Sequence, residues 1–342
     1  MALPQVVRIF APPVWGWLAD RTRRYGLLLR VSAVANLLLM AAMPGVVDSY
    51  EGIFVLLSLL YFAGAAQGPI AEANALSIAG SDSGRYGKIR LWGSIGFLLA
   101  VVLIGPILDG LGTHRLPQVL AVISALLLGV IFVLPEPTAA PSQASVGKIR
   151  DRLREPAIAL FFASAFLMMF AHAALYAFFS LYLERFGYSK TTIGLIWSIG
   201  VVAEIGLFRV QRRLFERFGA AWLLGSSLLV SMIRFALVAV SGGGLLLLLS
   251  TQLLHAVTFG VHHSACMAYL QRWFGAQQQA RAQALFVTVA YGLGGTCGGL
   301  MASLLWTKIS PEAAFWGASV ASLLAWSVFE GCRRFDRRNH RE

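Results

Sequence analysis

The sequence is poor in charge. Only 13% of its 342 residues are Asp, Glu, Lys or Arg, and 58% are hydrophobic. A soluble domain carries about 25% charged and about 45–50% apolar residues. A chain so short of polar side chains cannot cover its own surface in water, which excludes an ordinary soluble enzyme and leaves lipid as the solvent. The mean hydropathy of +0.70 agrees. Cysteine is also scarce. Cys266, Cys297 and Cys332 show no pairing pattern and no ligand spacing, so neither a disulfide scaffold nor a metal site is expected. No glycine-rich loop ends in Gly-Lys-Ser or Gly-Lys-Thr, which speaks against ATP-driven work, and no cofactor is expected. The start, Met1-Ala-Leu-Pro, lacks the basic region of a signal peptide. Lysine is rare, at 4 against 24 arginines, a bias of GC-rich bacterial genomes that points to a bacterial inner membrane. The net charge of +12 would suit nucleic acid. The basic residues fall between apolar runs instead of along one face, so no nucleic-acid partner is expected.

What is abundant is long apolar sequence. A membrane-spanning helix needs about 20 mostly apolar residues. Eleven runs qualify, at 1–18, 26–46, 52–78, 91–113, 117–134, 156–182, 191–211, 220–240, 244–270, 282–307 and 312–332. Of the 28 Lys and Arg, 21 fall in alternate loops that share a side with the C-terminus, four fall on the other side, and Arg8, Arg30 and Arg234 lie inside runs. Positive charge marks the cytoplasmic side, so the C-terminus is expected there. An odd number of spans would then start outside, and one more helix is expected upstream of Met1. The polar stretch from Pro135, rich in Pro and Ser and then basic, reads as a cytoplasmic linker over 135–155. It divides a five-helix bundle, 1–134, from a six-helix bundle with a basic tail, 156–342. A weak internal repeat lays Gly200–Ile205 over Gln5–Phe10, each followed by a basic turn. The fold class is an all-α polytopic membrane protein.

Ionisable side chains inside such runs cost about 2.5–3.5 kcal/mol each to insert. Arg8, Glu72, His172, Glu204, Arg234, His255, His262 and His263 are therefore candidates for function or for structural pairing. Arg30 is near enough to a loop to snorkel. Gln252, His255, Phe259, His262 and Cys266 recur at helical spacing, a polar face expected to look into a cavity, with His263 about 100° away. Each histidine could equally serve as a hydrogen-bonding link between helices.

Five stretches carry a family resemblance. Gly16-Trp17-Leu18-Ala19-Asp20-Arg21-Thr22-Arg23-Arg24 resembles the loop between the second and third helices of major facilitator superfamily transporters. It departs from that form in lacking a Gly before the last basic pair. The stretch from Arg85 to Phe97 is similar to the junction of the fourth and fifth helices in the phenylpropionate permease group, relatives of lactose permease and of nucleoside–proton symporters. The blocks His255–His263, Arg281–Phe286 and Gly292–Gly299 agree. The resemblance implies a two-bundle fold with eleven of the usual twelve helices, the first one missing. It implies a monomeric, proton-driven secondary transporter, not an enzyme, that takes up a small organic solute such as an aromatic acid.

The implied binding residues are Arg8, Glu72, Arg90, Arg234, Gln252, His255 and His262. Glu72 with Arg90 resembles a sugar-holding pair, and the same two could be a loop-end ion pair. Proton coupling is expected of Glu204, Glu72 or His262, because lactose permease carries a carboxylate three residues after a tenth-helix histidine where this chain has Thr258 and Ala265. Gating is expected of Gly16, Asp20, Arg21 and Arg24. Gly294 with Gly298, and Gly295 with Gly299, should allow close helix packing. Sugar or nucleoside symport, drug/proton export suggested by Gly105-Pro106, a membrane enzyme and a transport-inactive fragment are the alternatives.

Overall fold

A computed structural model describes residues 2–46, 48–80, 82–134, 152–275 and 278–339. Among them there is no β-strand. The helices are α1 (Ala2–Thr22), α2 (Tyr25–Ala42), α3 (Tyr50–Gly64), α4 (Gln67–Ala79), α5 (Ser83–Leu111), α6 (Leu116–Val133), α7 (Pro156–Arg185), α8 (Lys190–Ala239), α9 (Leu245–Leu253), α10 (His262–Trp273), α11 (Gln279–Phe286), α12 (Gly295–Lys308) and α13 (Pro311–Asn339). Two π-helical segments, Ala256–Val261 and Val287–Gly294, join α9 to α10 and α11 to α12. Gly219, at φ 73° and ψ 158°, divides α8 into two helices, in a conformation that favours glycine.

Among the described residues, nine helical runs are long and apolar enough to cross a membrane, where eleven spans were expected. Thr191–Ala239 counts once among the nine although Gly219 divides it, and Ala2–Thr22 is not one of them. Large apolar side chains such as Val133, Leu246 and Leu126 are 84%, 80% and 67% exposed, as suits a surface that meets acyl chains. The expected linker lies, over 135–151, outside the described residues.

The chain forms two compact units. The first comprises Met1–Ile78, Ala100–Val146 and Trp273–Thr288, and the second Ala79–Leu99, Gly147–Arg272 and Val289–Glu342. The core of the first is small, built of Ala11, Ala19, Ala33, Ala66 and Ile70 around Trp15. A break between α3 and α4 shows how lipid solvent shapes it. Ala66 N–H bonds back to Ala63 O instead of Phe62 O. The Phe62 carbonyl is taken up by Trp15 Nε1–H at 2.8 Å, and Ser32 Oγ donates to Ala63 O at 2.8 Å. An unsatisfied carbonyl in hydrocarbon would cost several kcal/mol.

The second unit is built on α7, which packs against α12 and α13. Its core is aromatic, with Phe179, Tyr182, Phe235 and Phe315 fully buried. Hydroxyls link its helices, Ser164 Oγ donating to Ala325 O and Ser319 Oγ to Met232 O, both at 2.9 Å. Of the two glycine pairs expected to pack, only one faces a helix. A Cβ on Gly294 would lie 2.5 Å from Phe166 O, and one on Gly298 would overlap the backbone of Phe170, whereas Gly295 and Gly299 meet nothing within 4 Å.

Gly298→Ala should therefore destabilise the protein by about 1–3 kcal/mol through overpacking. Gly299→Ala should be neutral or stabilising by up to about 1 kcal/mol, since it only reduces the freedom of the unfolded chain. Thermal midpoints of the two variants in detergent measure this. Equal midpoints would remove the close α7–α12 contact from the account.

Candidate functional site

The polar interior of the second unit has two centres. The first is Glu204 on the N-terminal half of α8. Helix α5 approaches α8 at two glycines: a Cβ on Gly84 would lie 2.7 Å from Arg212 Cβ, and one on Gly87 would lie 2.9 Å from Phe208 O. Such approach needs residues without side chains. One and two turns further along α5 stand Arg90 and Ser94. Ser94 Oγ donates to Glu204 Oε1 at 3.1 Å. On another side of the carboxylate, Gly260 leaves the backbone so near that a Cβ there would lie 3.2 Å from Glu204 Cγ. The charges acting on Glu204 come from Arg90 and then His263. Glu204 is 4% exposed.

The second centre is Arg234, on the C-terminal half of α8 and wholly buried. Its Nε donates to Thr251 O at 2.8 Å, and its Nη1 to Thr258 Oγ1 at 3.0 Å and to His255 Nδ1 at 3.2 Å. Accepting at Nδ1 requires the neutral ring with its proton on Nε2. His172, within electrostatic range of Arg234, bonds Met168 O through Nδ1 at 3.0 Å and meets Phe235 edge-on at 5.2 Å. Tyr176, one turn further along α7 and 48% exposed, stacks on Trp197 at 6.3 Å. Among the described residues Arg234 Nη2, His172 Nε2, Ser231 Oγ and both amide atoms of Gln252 are buried without a partner.

The expected single polar face of the tenth helix is corrected by the π-helical segment Ala256–Val261. Extra residues in that turn break the 100° phase of an α-helix. His255 stacks on Phe259 at 5.3 Å and Phe259 on His263 at 6.2 Å, so the ring ladder includes His263 and leaves out His262. His262 instead meets Ser227 Oγ through Nδ1 at 3.2 Å and Cys266 Sγ through Nε2 at 3.5 Å.

In the first unit, the gating residues separate. α1 packs along α11, where Gly16 leaves no room: a Cβ would lie 2.6 Å from Ala284 Cβ and 2.9 Å from Ala280 O. One turn on, Asp20 meets the start of α11. Its Oδ2 accepts from Arg281 N–H at 3.2 Å and pairs with Arg281 Nε at 3.4 Å, while Tyr25 Oη donates to Oδ1 at 3.1 Å. A helix N-terminus favours a negative charge. Burial still dominates and pushes the Asp20 carboxyl up to about 6, with Arg281 opposing. Arg21 lies over the Trp17 ring at 5.1 Å, and Arg24 is exposed beside Arg23, whose φ of 54° ends α1. Neither shares the Asp20 contact.

The side chain of Arg8 lies outside the described ones, Glu72 is half-buried on α4, and Glu72 and Arg90 belong to different units. Sequence reading passed over Ser94, Thr258, Tyr25 and the pairing role of Arg281. Ser94 stands at i+4 from Arg90, a spacing that could have singled it out.

A family model described as "MFS_1 like family" matches residues 1–316. The chain is 32% identical over 219 residues to a "Probable 3-phenylpropionic acid transporter" of Escherichia coli K12, covering 60% of this chain and 55% of that protein. It is 29% identical over 296 residues to the maltose permease of Geobacillus stearothermophilus, covering 86% and 74%. A solved human organic anion transporter superposes with a TM-score of 0.73 at 18% identity over 95% of this chain and 82% of its own. An E. coli fucose:proton symporter gives 0.71 at 16% over 98% and 90%.

Thr258→Val removes the hydroxyl that Arg234 Nη1 donates to and keeps the shape. It should cost about 1–3 kcal/mol, the penalty of a buried donor that loses a partner. Thr258→Ser should restore most of it. Thermal midpoints in detergent test both, and a Val variant as stable as the parent would show that Arg234 does not depend on this bond.

Proposed function

Because the chain belongs to the MFS_1 like family of major facilitator transporters, we propose that it is a proton-coupled importer of a small organic acid. The proposal takes 1–134 and 156–342 as two bundles joined by 135–155, acting as a monomer in a bacterial inner membrane with the basic loops and C-terminus cytoplasmic. Major facilitator proteins work by rocking one bundle against the other around a midplane site.

The observation that carries the substrate reading is a set of unpartnered buried atoms among the described residues of the second unit. Arg234 Nη2 is the one nitrogen of its guanidinium without a bond, and the Gln252 amide is without any. A carboxylate accepts from such donors, and guanidinium is suited to it by shape and charge. The Tyr176–Trp197 stack supports an aromatic acid of the 3-phenylpropionate type, since an aromatic ring gains from packing on another. The proposal keeps Arg8, Glu72, Arg90, His255 and His262 as further substrate-binding candidates. Glu204 is the proposed proton carrier, with Glu72 and His262 as the other candidates, because a neutral Ser94 hydroxyl donates to its carboxylate while Arg90 and His263 act on it by charge.

Uptake of labelled 3-phenylpropionate into proteoliposomes under an imposed pH gradient tests this. Accumulation should need the gradient and be inhibited by unlabelled aromatic acids. Competition by maltose or uridine, with none by aromatic acids, would replace the acid reading with sugar or nucleoside transport. Glu204→Gln should abolish gradient-driven accumulation and leave substrate exchange across the membrane intact. Full accumulation by that variant would move the proton elsewhere.

Gly16 and Asp20 are the proposed gate, with Arg21 and Arg24 as its solvated rim. The docked Asp20 has its pKa raised to about 6, against an ordinary value of 3.8 in water. The docked form therefore holds the proton more tightly. Docking strengthens as pH falls through 6, is fully favoured below about 4, and loses that gain above 6. Spin labels at Thr22→Cys and Gly275→Cys should report a narrower, shorter distance distribution at pH 5 than at pH 7.5. Asp20→Asn should abolish the difference. A parent protein whose distribution is the same at both pH values would sink the pH-sensitive gate.

A further inference from the structure

A further charged feature lies in the second unit, on the same two helices as the Glu204 centre. The start of α5 and the middle of α8 enclose a hollow of about 560 Å³ lined by Asp82, Arg85, Lys88, Arg209, Arg212 and Arg213. That volume is within the range of small-molecule sites, about 300–1,000 Å³. Arg85 and Lys88 are three apart on one helix, and Arg209 and Arg213 are four apart on the other, so each pair projects from one face. All four are exposed, and among the described residues none makes an ion pair.

The acids nearby neutralise them only in part, Asp82 acting by charge on Lys88 and Arg212. Glu216 is taken by Arg212, its Oε1 2.7 Å from Arg212 Nε. Asp82 turns its Oδ1 to the first amides of α5, accepting from Gly84 N at 2.8 Å and Arg85 N at 3.2 Å. Those bonds hold its carboxyl below the ordinary carboxylate range. The helices cannot separate to relieve the repulsion without losing the close contacts at Gly84 and Gly87. Like charges at this spacing destabilise a helix surface, and here two such pairs face one cavity.

We propose that this hollow is a binding site for a phosphate-bearing anion, held between Arg85 and Lys88 of α5 and Arg209 and Arg213 of α8. A phosphate group offers several acceptor oxygens to converging guanidinium donors. It would offset the repulsion between the two helices and so strengthen their contact. An anionic lipid headgroup and a soluble phosphate compound share this chemistry.

The test uses the full chain in nanodiscs of zwitterionic lipid. One arm titrates inorganic pyrophosphate by calorimetry. The other adds phosphatidylglycerol and counts retained lipid by native mass spectrometry. Arg209→Gln/Arg213→Gln should weaken whichever binding is seen by about tenfold or more, the loss of one or two charged hydrogen bonds. Arg85→Gln/Lys88→Gln should do the same, which guards against one variant misfolding. Arg334→Gln/Arg337→Gln removes the same charge from α13 and should change binding by less than about twofold, as expected for distant screened charge. Pyrophosphate binding identifies a soluble ligand, and retained phosphatidylglycerol without pyrophosphate binding identifies a lipid headgroup. Equal losses in the site and α13 variants, or no binding in either arm, would overturn the proposal.

Discussion

The lipid around this protein offers no water to a stray hydrogen bond, so a backbone carbonyl freed by a break in a helix must be met by another part of the chain. That constraint explains why its helices are irregular where they are. At the α3–α4 break, the carbonyls of Phe62 and Ala63 lie next to donors from Trp15 and Ser32. Where α9 gives way to the π-helical segment, Thr251 O receives Arg234 Nε. In each case a departure from regular helix coincides with a side-chain donor from a neighbouring helix. A break in a membrane helix is thus tied to a partner far away in sequence, and the two must be kept together.

Sequence patterns reached the apolar runs because length and composition decide them. The starts of α2, α6, α7, α9 and α13 fall within a few residues of the expected positions. They could not reach phase. Whether Gln252, His255, Phe259, His262 and Cys266 share a face depends on whether the helix stays at 3.6 residues per turn, and Ala256–Val261 does not. Composition gives little warning of a π-helical turn, since Ala, Val, Thr and Gly all sit acceptably in an α-helix. The same limit hid the inequality of the two glycine pairs, Gly294/Gly298 against Gly295/Gly299, which differ by one residue and hence by about 100°. Asp20 was legible as a loop acid. Its partner Arg281, 261 residues away, was legible only as one of many basic residues.

The two buried carboxylates among the described residues share a local device. Asp20 lies one turn after Gly16, whose bare backbone admits α11. Glu204 lies against Gly260 and across from Gly87. In both places the missing side chain does two jobs. It lets a second helix come close enough to exclude solvent, and it puts a donor from that helix, Arg281 N–H or Ser94 Oγ–H, at the carboxylate. A larger residue at these glycines would separate the helices and rehydrate the acid, so packing and proton affinity are not independent at these positions.

That coupling separates the roles of Glu204 and Arg234 in the proposed cycle. Arg234 donates three hydrogen bonds to α9, the π-helical turn and its neighbours. Stripping a buried ion of its partners costs about 3–5 kcal/mol, and a guanidinium does not lose its proton to escape that cost. Arg234 can therefore present Nη2 to a solute but cannot change its charge or leave. Glu204 has the opposite freedom. Its described hydrogen-bond donor is a hydroxyl, which can rotate and accept from a protonated carboxyl as readily as it donates to an ionised one. A charge that must appear and vanish once per cycle belongs on the group whose partner tolerates both states. A charge that must hold a solute's orientation belongs on the group whose partners fix it, and by that reasoning the fixed cation and the changeable acid divide the work of a symporter between them.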